Sequence, residues 1–174
     1  RLGPGAVLLG AILAGGAARR FGSDKAAATW RGQRLIDHVA AALGAQCDGI
    51  VVCGRAEPPF PSLDDWPAPG LGPLGGLAAA LRHAEAHGFS HVLSAGVDAP
   101  DLPHDLATAL AGAGAAILAS QPVIGLWPAG LAGALCDYLA GGGRALYGFA
   151  AAVGAREVVL PRPVMNVNRP EDLA

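Results

Sequence analysis

Charge is scarce in this 174-residue chain: Asp, Glu, Lys and Arg together make up 15%, and neither sign prevails, with a formal net charge of -2 and a pI near 6.2. That balance argues against a general nucleic-acid or membrane-surface binder, since those need a basic face. Long apolar runs are missing too. Gly, Pro or a charged residue interrupts each one before it could span a bilayer, and the start lacks a basic region, apolar core and cleavage site, so a soluble cytoplasmic protein is expected. Cys47, Cys53 and Cys136 are an odd number without CxxC spacing, which fits neither a disulfide framework nor a zinc site and leaves buried or incidental thiols. His83 and His87 stand at i, i+4 without an HExxH; they, with His38, His91 and His104, read as surface or cap residues. The phosphate loop GxxxxGK[ST] and the dinucleotide fingerprint GxGxxG are absent, and no Ser-His-Asp or Cys-His arrangement is evident.

Hydrophobic residues make up 52% of the chain, enough for one domain with a substantial core; residues 1–174 are read as that domain, with Arg1–Gly5 left outside the fold argument. Apolar runs bounded by Gly and Pro alternate with helical patterns. The reading is strand Val7–Leu13, helix Arg34–Ala45, strand Gly49–Cys53, helix Leu74–His87, strand His91–Ala95 and a helix near Asp105–Ala111. Strands Ala115–Ala119 and Val123–Trp127, helices Leu131–Leu139 and Ala145–Val153, and a last strand Arg156–Leu160 follow. This alternation predicts a three-layer α/β/α Rossmann-like sandwich with a mostly parallel central sheet. Residues 54–72, rich in proline and without periodicity, read as a long loop at the carboxyl edge of that sheet.

The same edge receives the segment Leu13–Lys25, LAGGAARRFGSDK. Gly15 and Gly16 let the backbone turn and approach a ligand, and successive N–H groups in such a turn face phosphate oxygens. Arg19, Arg20 and Lys25 add three cations within seven residues, which outlines a polyphosphate site. Asp98, in SAGVDAPDLP after the strand ending at Ala95, places a carboxylate beside this loop, where Mg²⁺ accompanying a triphosphate would take one or two carboxylates plus phosphate oxygens. Asp101 and Asp105 are read instead as helix caps. Gly72–Leu77, GPLGGL, precedes a helix and offers bare backbone amides to an anion or to the edge of a base.

The pattern LAGGxxxRxGxxK resembles the N-terminal signature of nucleotidyltransferases that make nucleoside diphosphate derivatives from NTPs, with Arg20, Gly22 and Lys25 at the matching positions and Ala18 where relatives often carry serine. With GPLGG, the DxP of Asp98 and Pro100, PVIGLWP (Pro122–Pro128), GGGR (Gly141–Arg144) and NVN (Asn166–Asn168), the order over nearly the whole chain is similar to that of the molybdenum cofactor guanylyltransferases. The resemblance implies a Mg²⁺-dependent transfer of GMP from GTP to the phosphate of molybdopterin, with pyrophosphate released. It assigns catalysis to Arg20, Lys25 and Asp98, and the metal to Asp98. It assigns nucleotide binding to Leu13, Ala14, Gly15, Gly16, Lys25, Gly72, Pro73, Leu74, Asp98 and an acidic base contact at Asp64 or Asp65, of which Asp65 is chosen. Arg144, Asn166 and Asn168 would face the acceptor, although a turn-stabilising role serves each of them equally well. Implied partners are GTP, molybdopterin and, transiently, molybdoenzymes or their chaperones, with no nucleic acid and no membrane. A related transferase using CTP or a sugar-phosphate acceptor, and an inactive nucleotide-binding docking protein, stand as alternatives. Two departures mark this chain: Cys53-Gly54-Arg55 where relatives often have an asparagine, and Ser120-Gln121 where a polar loop commonly precedes the Pro-x-x-x-Leu-Trp element.

Overall fold

The structure is a computed structural model that describes residues 2–15 and 24–173. Its strands are β1 (Leu8–Leu13), β2 (Thr29–Trp30), β3 (Gln33–Arg34), β4 (Gly49–Cys53), β5 (Ser62–Leu63), β6 (His91–Ala95), β7 (Ala116–Leu118), β8 (Gly125–Pro128) and β9 (Arg156–Val158). Its helices are α1 (Leu35–Gly44), α2 (Pro73–Ala86), α3 (Leu106–Leu110), α4 (Ala132–Ala140) and α5 (Leu146–Ala152), with 3₁₀ turns at Lys25–Ala27, Ala129–Leu131 and Pro170–Leu173.

All six residues of β1 are buried, the mark of a central strand covered on both faces. The sheet runs β5-β4-β1-β6-β8-β7-β9. Strand β1 pairs in parallel with β4, from Leu9 opposite Gly49 to Leu13 opposite Cys53, and with β6, from Leu8 opposite His91 to Ile12 opposite Ala95. Successive side chains alternate between faces, so Leu9, Ala11 and Leu13 pack with α2, α4 and α5 while Leu8 and Ile12 pack with α1 and α3. This is the three-layer sandwich that the apolar pattern predicts. On α2, Leu74, Leu77 and Leu81 are fully buried, each contributing about 1.5–3 kcal/mol by leaving water.

Several local expectations are corrected. Strand β8 is antiparallel to both β6 and β7, and it begins at Gly125, because Ile124 N donates to Gln121 O and closes a turn before it. The loop expected over residues 54–72 contains β5, which adds a parallel edge strand beside Val52 and Cys53. The two-residue strands β2 and β3 form a hairpin that no periodicity announces. Asp105 precedes α3 but makes no side-chain cap bond, and the Asp101 carboxylate accepts a hydrogen bond from Met165 N (2.8 Å), tying down the C-terminal segment rather than capping a helix. At the short connection after β7, Gln121 is buried and its Nε2 donates to Met165 O, so this connection latches the same segment.

Candidate functional site

Because β1, β4 and β6 run in the same direction, Leu13, Cys53 and Ala95 end at one edge of the sheet, and the turns after them converge there. Ala14 N donates to Cys53 O at 2.9 Å, which carries β1 pairing one residue past the strand. Gly54 has φ +92°, and a Cβ there would lie 2.4 Å from Gly15 Cα. The two glycine backbones therefore touch, and only glycine at position 54 suits both the dihedral angle and the contact.

Two cavities adjoin over this contact, sharing Leu13 and Gly15 in their walls. The larger, about 480 Å³, is lined by Asp24, Lys25, Arg55, Gly96, Asp98 and Val123 among others. Lys25 opens the 3₁₀ turn Lys25–Ala27, and its Nζ donates to Asp98 Oδ1 at 2.9 Å. Their side chains keep 18% and 33% exposure, so both charges remain within reach of a ligand. Asp98 is set by its backbone, whose carbonyl accepts a hydrogen bond from Val167 N at 2.8 Å.

The smaller cavity, about 190 Å³, is lined by Cys53, Asp65, Gly70, Gly72, Pro73 and Gly76. Asp65 lies across the first turn of α2: a Cβ on Gly75 would be 2.8 Å from both its Cγ and its Oδ2. Trp66 N donates to Gly75 O, and the Arg82 guanidinium stacks 3.6 Å over the Trp66 ring, which together hold this loop against the helix. The positive end of α2 thus faces a carboxylate. Asp64 is exposed and does not line the cavity. Burial, then the Asp65 charge, push the Cys53 thiol up to about 12, so it is no nucleophile near neutral pH.

Of the other expected residues, Gly16 and Arg20 lie outside the described residues. Leu74 is fully buried behind the cavity wall. Asn166 and Asn168 are exposed on either side of Val167, which is buried and anchored to Asp98. Asp172, whose carboxyl accepts the Asn168 and Arg169 N–H groups and is held low chiefly by them, also feels the Lys25 charge, while Asn168, Arg169, Glu171 and Asp172 line a cavity of their own. Arg144 donates to Leu139 O and Gly143 O, ending α4, and no bond between described residues brings it to the cavities. Asp24 and Arg55 line the larger cavity although the sequence reading did not select them; opposite charges near two glycine turns in a charge-poor chain were the available signal.

No group of three His, Cys, Asp or Glu side chains among the described residues could hold a metal ion unaided. The Asp98 carboxylate in the cavity wall fits an ion that arrives with phosphate oxygens and keeps its waters, as Mg²⁺ does.

A doubly covered, mostly parallel sheet with a charged, glycine-floored cleft at its carboxyl edge defines a nucleotide-handling α/β protein. Comparison with known proteins gives the family: the model of the MobA-like NTP transferase domain matches residues 10–157, and the chain belongs to that family. A protein of Cereibacter sphaeroides named molybdenum cofactor guanylyltransferase is 40% identical over 184 aligned residues, covering 96% of this chain and 94% of its own. One of the same name from Acidiphilium cryptum is 38% identical, covering 97% and 93%. Among solved structures, molybdopterin-guanine dinucleotide biosynthesis protein A from Archaeoglobus fulgidus superposes with a TM-score of 0.71 at 23% identity, covering 95% of this chain and 94% of its own. The fold is also that of 2-C-methyl-D-erythritol 4-phosphate cytidylyltransferase from Thermus thermophilus, with a TM-score of 0.68, 19% identity and 94% of each chain covered.

Proposed function

We propose that this nucleotidyltransferase acts in molybdenum cofactor biosynthesis, transferring GMP from GTP to the phosphate of molybdopterin and releasing pyrophosphate. The observation that carries the reading is the pairing of Lys25 with Asp98 in one cavity that shares Gly15 with a second, Asp65-lined cavity. The name of the relatives, molybdenum cofactor guanylyltransferase, supports a guanylyl donor and the molybdenum cofactor as acceptor. Triphosphate occupies the larger cavity and the base the smaller one, where guanine N1–H and N2–H offer two adjacent donors to the Asp65 carboxylate. An acceptor phosphate oxygen forms a bond to the α-phosphorus as the bond to the bridging oxygen of pyrophosphate breaks in line. That nucleophile is already anionic, so catalysis requires positioning and charge neutralisation rather than a general base.

Lys25 neutralises phosphate oxygens of the leaving group, a role the family pattern also gives to Arg20. Asp98 would hold Mg²⁺, which supplies further neutralisation of phosphate charge when bound. Gly15, Gly72 and Pro73 shape the wall, and the family resemblance gives Asn166, Asn168 and Arg144 to the acceptor. Pyrophosphate release is the test, measured with GTP, CTP, ATP and UTP, with and without molybdopterin and Mg²⁺. Release with GTP, acceptor and Mg²⁺ together is expected, and K25A and D98A each lose turnover while keeping the wild-type fold by circular dichroism. Release with CTP in place of GTP, or full turnover in either variant, overturns the corresponding assignment.

A further inference from the structure

A line of alternating charges runs from the larger cavity to the start of α1, and the reaction above leaves it unused. Arg55 Nη1 donates to Asp24 Oδ1 at 2.7 Å and its Nη2 pairs with Glu57 Oε1 at 3.0 Å. Arg34 grips both Glu57 oxygens, at 3.2 and 3.0 Å, and both oxygens of Asp37, at 3.0 Å each. Glu57 keeps only 11% side-chain exposure, and a charge so nearly removed from water persists because two guanidinium groups face it. Arg55 is thereby clamped from behind, with its own Nε buried and without a partner.

Arg55 also touches what matters for the nucleotide. Asp24 immediately precedes Lys25, its carbonyl accepts the Ala27 N–H that begins the 3₁₀ turn, and both residues line the cavity with Arg55 and Asp98. Two carboxylates, Asp24 and Asp98, face two cations, Lys25 and Arg55, among the described lining residues. Loss of the Arg55 charge would leave an unpaired carboxylate where a polyanion must sit, and would loosen the turn that carries Lys25. The Asp24 carboxyl is held below its usual range, first by the hydrogen bond from Arg55.

We propose that Arg55 is a positioning residue for the nucleotide triphosphate: by pairing with Asp24 it fixes the Lys25 turn against the cavity and cancels the one carboxylate there that serves no ligand. The inference rests on the reading of this cavity as the triphosphate site. The test is calorimetric binding of GTP with Mg²⁺, with KM for GTP and for molybdopterin, in wild type, R55A, R55K and R55A/D24N. R55A is expected to raise Kd and KM for GTP about tenfold with KM for the acceptor unchanged, the size of one charge interaction in a partly screened site. R55K, which keeps the charge but cannot span Asp24 and Glu57 together, falls between. The double variant removes the stranded carboxylate but restores neither the tie to the Lys25 turn nor the second partner of Glu57, so its melting temperature stays lowered while its Kd recovers part of the way, between R55A and wild type. A double variant as weak as R55A, or an R55A protein that binds like wild type, overturns the inference. A wild-type protein that takes up no GTP with Mg²⁺ overturns instead the nucleotide reading beneath it, and the inference with it.

Discussion

Alanine at position 75 separates the stability of this fold from its choice of base. Gly75 is the third residue of α2, and exchanging a helical glycine for alanine gains roughly 0.5–1 kcal/mol from backbone entropy. Against that, the new Cβ would stand 2.8 Å from Cγ and Oδ2 of Asp65 and 3.0 Å from its Cβ. Ordinary contact between such atoms is about 3.5–4 Å, so the carboxylate must withdraw by at least half an ångström. Trp66, bonded to Gly75 O and stacked under Arg82, holds the neighbouring backbone, which leaves rotation of the Asp65 side chain as the cheaper response at roughly 0.5–1.5 kcal/mol. Gain and cost nearly cancel, and urea unfolding of G75A should fall within about 1 kcal/mol of wild type. The hydrogen bonds from guanine to a charged acceptor are worth about 1.5–3 kcal/mol, so kcat/KM for GTP should drop roughly 10- to 100-fold. Discrimination against ATP, CTP and UTP in the pyrophosphate assay should narrow with it. Unchanged kcat/KM and unchanged preference would refute the placement of the base beside Asp65, while a loss of stability beyond about 3 kcal/mol would show that Asp65 cannot give way.

Gly54→Ala makes the contrasting case: positive φ alone costs a non-glycine residue about 1–3 kcal/mol, and here the Cβ meets Gly15 backbone at 2.4 Å with no flexible atom to yield. Loss of more than about 3 kcal/mol in urea unfolding is expected, and a drop no larger than that of G75A would contradict the close approach of the two turns. Burial holds the His83 and His91 imidazoles below their ordinary value of 6.5, with the His87 charge adding to the effect at His83. The unfolded chain therefore binds these protons first, stability is complete above pH 6.5 and declines as pH falls through that value toward the lowered folded pKa values. Chemical denaturation from pH 7.5 to 5 should show that slope, and H83Q/H91N should flatten it; an undiminished slope in the variant would assign it elsewhere.

The apolar runs at Leu8–Leu13, Gly49–Cys53 and His91–Ala95, and the helices between them, were legible in the chain because each is a local pattern long enough to declare its period. So was the meeting of Gly15, Lys25 and Asp98 at one edge of the sheet, which follows from residue type and position after a strand. Strand β5 and the β2–β3 hairpin were not, since two residues carry no period and their pairing comes from neighbours. The reversed direction of β8 is likewise invisible locally, because either direction buries the same side chains and only the connections decide. Asp101 reads as a cap in sequence and becomes an anchor for Met165 across 64 positions. Arg55 reads as a departure from a pattern and becomes the partner of Asp24, 31 positions away. Sequence alone thus determined the longer elements and which chemistry the edge of the sheet can offer, since both follow from short-range periodicity and residue identity. The tertiary structure decided which charges meet, because an ion pair needs two side chains within about 4 Å and only the packed sheet brings such distant segments together.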